Sequence, residues 1–160
     1  MSNTSRPKFA VMWQLFRQVL GDGSVAYVGK FIGGKVGQNI ASGAFPNACA
    51  IRLSYALNHA GIGLALAAGK HVSAADGSQY LFRVADMHAF LRSRFGPPDV
   101  SSSGPSTRAF EGKRGIILFE VRGWSDATGH VTLWDGMSIK DCSDHCYFAN
   151  ASHVHLWMLP

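Results

Sequence analysis

Phe9, Met12, Phe16 and Val19 recur at helical spacing, with Leu15 and Leu20 beside them. The pattern predicts an amphipathic helix over residues 8–20, ended by Gly-Asp-Gly. The stretch VGKFIGGKVGQNIASGAFPNA, residues 28–48, carries five glycines and no sustained period, so it reads as a loop of special backbone angles. In NACAIRLSYALNHAG, residues 47–61, Ala50, Leu53, Leu57 and Ala60 trace one apolar stripe. A helix is expected there, with Asn47 as its N-cap, Cys49 in its first turn and Gly61 closing it. QYLFRVADMHAFLRSRFGPP predicts a short strand running into a helix that Gly96 and two prolines terminate, and VSSSGPSTRAFEG reads as a polar loop.

The pattern changes in the last third. RGIILFEVRGW, HVTLWDG and VHLWMLP are rich in β-branched and aromatic residues and are separated by turn residues, as neighbouring antiparallel strands are. Helices followed by a mostly antiparallel sheet make an α+β layout. No internal repeat and no linker-like segment interrupts the 160 residues, so one domain spanning 1–160 is expected.

Composition narrows the function. With 47% apolar and only 16% charged residues the chain can bury a core, and a disordered class is set aside. The net charge of +5 favours an anionic partner. The basic residues are scattered or in short groups, such as Arg92 with Arg94 and Lys113 with Arg114, so no nucleic-acid partner is expected. No apolar run reaches about 18 residues, which argues against membrane insertion. The basic start has a short apolar stretch that Gln14 and Arg17 interrupt, so no secretion leader is expected. A cytoplasmically made chain sits awkwardly with Asp-Cys-Ser-Asp-His-Cys, whose two cysteines, Cys142 and Cys146, are spaced so that a disulfide is sterically allowed.

Cys49 is the candidate nucleophile. Backbone N–H groups and the helix dipole favour a thiolate at a helix N-terminus, although a free cysteine is also a common core residue. Of the seven histidines, His130 is best placed to act as its base, because it opens a strand directly after the turn GWSDATG. Asp144, Asp141 and Asp135 all follow closely enough to orient the imidazole, and spacing does not choose among them. Trp124 is a candidate wall of the cleft, with packing against the sheet as its other role. His59, His71 and His88 are assigned to surface or helix-face positions, and Trp134 and Trp157 to the core. A competing reading is a zinc site made by Cys142, Cys146, His153 and His155, but the spacing matches no common zinc pattern, so neither a metal nor a cofactor is expected. Another is a non-catalytic module that binds cell-wall glycans through its tryptophans, with Cys49 structural.

Five motifs then fall in one order along nearly the whole chain: FIGGKVGQNI, NACAIRLSYALN, GWSDATGHVTLWDG, CSDHC and the terminal LWMLP. Together they resemble the fourth family of type VI secretion amidase effectors. The resemblance implies a papain-like fold related to the NlpC/P60 group and cleavage of the γ-D-glutamyl–meso-diaminopimelate amide of peptidoglycan stem peptides. It implies delivery by the secretion machinery into the periplasm of target bacteria, which would reconcile a missing leader with a disulfide, and a cognate immunity protein that occludes the cleft. Position by position it assigns Cys49 as nucleophile, His130 as base, Asp144 as the orienting acid and Cys142 with Cys146 as a disulfide. By analogy with papain-like enzymes Gln38 is a candidate oxyanion donor, in a glycine-rich segment that would support the active-site wall. Two departures are Ala50, where many relatives have proline, and His145 inside the bridged loop; neither replaces a catalytic group.

Overall fold

A computed structural model describes residues 5–64, 70–103, 106–121, 129–139 and 146–160, with the backbone alone for Cys146 and Ala149. The first helix, α1 (Phe9–Leu20), buries the predicted stripe of Phe9, Met12, Phe16 and Val19, and Gly21 ends it at φ 55°.

The glycine-rich stretch is helical rather than a loop. Helix α2 (Val25–Ile32) opens with the Ser24 hydroxyl accepting the Tyr27 N–H, and α3 (Gly34–Ala41) follows after a corner at Gly33 with φ 66°. Val28, Ile32 and Val36 are buried at four-residue spacing, a period that the glycines mask. Those glycines serve close packing instead of breaking helices: a Cβ on Gly37 would stand 2.7 Å from the Gly29 carbonyl oxygen.

Helix α4 (Cys49–His59) is buried on almost every side, from Cys49 to Leu57. Its cap position is held by Ala48 rather than Asn47, and the Asn47 side chain accepts the Cys49 N–H at 3.0 Å. The hairpin of β1 (His71–Ser73) and β2 (Gln79–Leu81) packs on α3 and α4, and its Ala75 N–H donates to the Ile32 carbonyl at 3.2 Å. The third predicted helix is α5 (Val84–Phe95), ended by Gly96 at φ 84°.

The predicted polar loop contains a strand, β3 (Val100–Ser103), whose backbone pairs with the last strand while its serines keep the edge wettable. It continues to a 3-10 turn at Arg108–Phe110. Then come β4 (Gly115–Val121), β5 (Gly129–Trp134), the short helix α6 (Cys146–Asn150) and β6 (Ala151–Met158). The sheet order is β3-β6-β4-β5, antiparallel throughout, so the three predicted strands do pair with β4 in the middle. One face of the sheet, with Ile116, Leu118, Val131, Leu133 and Trp157, packs on α1, α4 and α5. The opposite face, with Ile117, Phe119, Val154 and Leu156, is covered by Phe110 and by Phe148 of α6. Backbone bonds close the molecule: the Phe9 N–H donates to the Pro160 carbonyl at 2.7 Å. Among the described residues no helix is long and apolar enough to cross a membrane.

Candidate active site

Cys49 is 2% exposed and opens α4. Because the first intrahelical bond runs from the Arg52 N–H to the Ala48 carbonyl at 2.8 Å, the N–H groups of Ala50 and Ile51 precede the helix's own hydrogen bonding. They form the kind of donor pair that stabilises a thiolate or an oxyanion. The Asn47 side chain fixes the first turn by accepting the Cys49 N–H.

His130 is the second residue of β5 and is 4% exposed. Its ring lies parallel to Tyr147 of α6, with centroids 3.9 Å apart and planes 4° from parallel, and Phe119, its cross-strand partner, flanks it at 6.4 Å. Helix α4 packs against β5, and Cys49 shares its core cluster with Val131, the residue after His130. The helix-borne thiol and the strand-borne imidazole thus come from elements in direct contact, and the imidazole is held on the Phe119 and Tyr147 side. Tyr147 was missed by the sequence reading; its only signal is an aromatic directly after the second cysteine of CSDHC.

Of the three acids weighed as the orienting group, Asp135 is committed elsewhere. Its carboxylate accepts the N–H groups of Met137 and Ser138 at 2.8 and 2.7 Å and shapes the turn after β5. Asp144, Asp141, Cys142, His145 and Trp124 lie outside the described residues, as does the side chain of Cys146. Gln38 is exposed on α3 and lines a cleft of about 770 Å³ between α2 and α3, with Gly33, Gly37, Phe45 and Pro46. From the wall of that cleft the chain runs straight through Asn47 and Ala48 into Cys49.

The remaining histidines divide. His59 and His71 are exposed, His59 standing 3.9 Å from Asp76 and His71 bonding Gln79 at 2.8 Å. His88 sits on the inner side of α5, with its ring 5.9 Å from Trp157 and 5.2 Å from His155. Burial, with the nearby His155, lowers its pKa. His153 and His155 share one face of β6, their rings 2° from parallel, and His155 bonds Glu120 and Ser101. Among the described residues no group of three donors is arranged to hold a metal ion. Trp134 and Trp157 are fully buried, each donating its indole N–H to a backbone carbonyl at 2.9 Å, of Phe110 and Gly96 respectively.

A central helix begun by a buried cysteine and packed on an antiparallel sheet defines an α+β protein of the NlpC/P60-like class. Its family is narrower still. Residues 45–157 match the model of type VI secretion system amidase effector protein 4, Tae4, and the chain belongs to that family. The effector Tae4 from Salmonella typhimurium, solved in complex with the immunity protein Tai4 from Enterobacter cloacae, is 44% identical. That likeness covers 97% of this chain and 100% of that one, with a TM-score of 0.88. The Tae4 chain of the Salmonella Typhimurium Tae4–Tai4 complex is also 44% identical over 98% and 100% of the two chains, at 0.89. Tae4 from Enterobacter cloacae is 42% identical over 98% and 99%, at 0.88. No curated protein matches the chain.

Proposed function

We propose that the chain is a peptidoglycan amidase that cuts the γ-D-glutamyl–meso-diaminopimelate amide of stem peptides after type VI delivery into the periplasm of target bacteria. The observation that carries this reading is Cys49 itself, in the first turn of a buried helix packed on the strand of His130, in a chain of the amidase effector family. The Cys49 thiolate attacks the D-glutamyl carbonyl, and the first-turn N–H groups of α4 hold the oxyanion. His130 protonates the leaving amine and then activates water for deacylation, while Asp144 orients its ring. Gln38 contributes to the oxyanion site and Trp124 walls the cleft. A disulfide between Cys142 and Cys146 fixes the segment that carries Asp144 once the protein reaches an oxidising compartment.

The positive net charge suits a polymer rich in carboxylates. As in the Tae4–Tai4 complexes, a cognate immunity protein is the partner, and it protects the producer by covering the cleft. The test is mass spectrometry of meso-diaminopimelate stem peptides incubated with the wild-type protein and with Cys49→Ala. The wild type should release fragments ending at D-glutamate and the variant none. Intact peptides from both, under reducing and oxidising conditions alike, would overturn the assignment and favour a non-catalytic wall-binding role.

A further inference from the structure

Three strands of the sheet bring a second nucleophile, base and acid into line, away from the helix of Cys49. On the edge strand β3, the Ser101 hydroxyl lies 2.8 Å from Nδ1 of His155, its cross-strand partner on β6. The other ring nitrogen of His155, Nε2, lies 2.7 Å from a carboxylate oxygen of Glu120 on β4. The carboxylate is an acceptor, so Nε2 carries the proton and donates it to Glu120, which leaves the Nδ1 lone pair to accept the Ser101 O–H. The base is shielded and the nucleophile is not: the His155 side chain is 12% exposed, whereas Ser101 stands at the surface. Nucleophile and base within hydrogen-bond reach, with the base oriented by a third group, is the arrangement that activates a hydroxyl.

The surroundings strengthen the relay. Burial pushes the Glu120 carboxyl upward, but the hydrogen bond from His155 and the electrostatic influence of the neighbouring imidazoles outweigh it and hold the group below its usual range. Glu120 is thus ionised at neutral pH, as an orienting acid must be. The cross-strand register fixes Ser101 opposite His155 and seats Glu120 opposite His153, two positions along on the same face of β6, so the sheet backbone brings the three residues together.

We propose that Ser101, His155 and Glu120 form a serine acyl-transfer site, distinct from Cys49, that takes acyl esters presented at the open sheet edge. Ser101 lies on an exposed edge strand, outside the cleft of about 770 Å³ between α2 and α3, so the ester presents its carbonyl at the open sheet edge. The Ser101 oxygen bonds to the ester carbonyl carbon as its proton passes to Nδ1 of His155. The carbon–oxygen bond to the alcohol breaks, and the alcohol leaves with that proton. Water then gives a proton to Nδ1, its oxygen attacks the acyl-serine, and Ser101 is released with its hydroxyl restored.

The experiment uses the full chain carrying Cys49→Ala, which removes the competing thiol. With 4-nitrophenyl acetate this protein should show turnover above buffer, and a fluorophosphonate probe should add one label that peptide mapping places on Ser101. Adding Ser101→Ala should remove both the label and the turnover, and His155→Gln should slow turnover by about a hundredfold. Ser101→Ala in the wild-type background should leave stem-peptide cleavage unchanged, which separates this site from that of Cys49. A label on any other residue, no label, or esterase turnover unchanged by Ser101→Ala with circular dichroism intact would overturn the proposal.

Discussion

At the scale of single residues, the first turn of α4 depends on one amide side chain. Asn47 accepts the Cys49 N–H at 3.0 Å, so Asn47→Ala frees the turn that carries the thiol. The loss of a cap-type bond costs about 1 kcal/mol, and urea denaturation should show a decrease of that size. Stem-peptide cleavage should fall more steeply than stability does, because an oxyanion donor displaced from its place costs about 2.7–4 kcal/mol in the transition state. Tyr147 makes a comparable case for the imidazole. Tyr147→Ala removes the ring stacked at 3.9 Å on His130 and should lower kcat while leaving KM close to the wild-type value. The placement of Cys49 in the first turn of a helix and of His130 early in a strand was legible in the sequence, one from its helix-start context and the other from the turn before it. Tyr147 was not, because stacking is a relation between α6 and β5 that no local pattern records.

At the scale of elements, the sequence misled where two physical signals pointed in opposite directions. Glycine lowers helix propensity, so residues 28–48 read as a loop, yet the buried Val28, Ile32 and Val36 keep a helical period. The conflict resolves in tertiary packing, since α2 and α3 cross where Gly37 meets the Gly29 carbonyl, and no other residue fits that contact. Gly37→Ala, which raises intrinsic helix propensity, should nonetheless destabilise the protein by about 1–3 kcal/mol in chemical denaturation. The strand at Val100–Ser103 was hidden for another reason: its burial alternates, but serines on an edge strand look like a loop when the partner strand lies about fifty residues away. The three strands of the last third were legible because their apolar runs are long and bounded by turn residues. Their order was not, since β5 and β6 flank β4 instead of pairing with each other.

At the scale of the whole molecule, acid should loosen the fold through two groups near β6. His88 has its pKa lowered by burial and by His155, so below the ordinary imidazole range the unfolded chain takes up a proton that the folded chain resists. Glu120 is also lowered, so its contribution is present above the ordinary carboxylate range and fades as pH falls through its folded value. Both signs agree but act in different windows: Tm should fall from about pH 7 to 5 through His88 and again below about pH 4.5 through Glu120, with His88→Gln flattening the first fall and leaving the second.

The bond between the Phe9 N–H and the Pro160 carbonyl has a topological consequence. Helix α1 and residue 160 touch, so a short peptide bridge could join residue 160 to the segment before Phe9. A circularised version should keep the fold and resist exopeptidases. New ends cut at the Gly43 turn, where a Cβ would meet nothing within 4 Å, would then test whether the order of elements matters once their contacts are preserved.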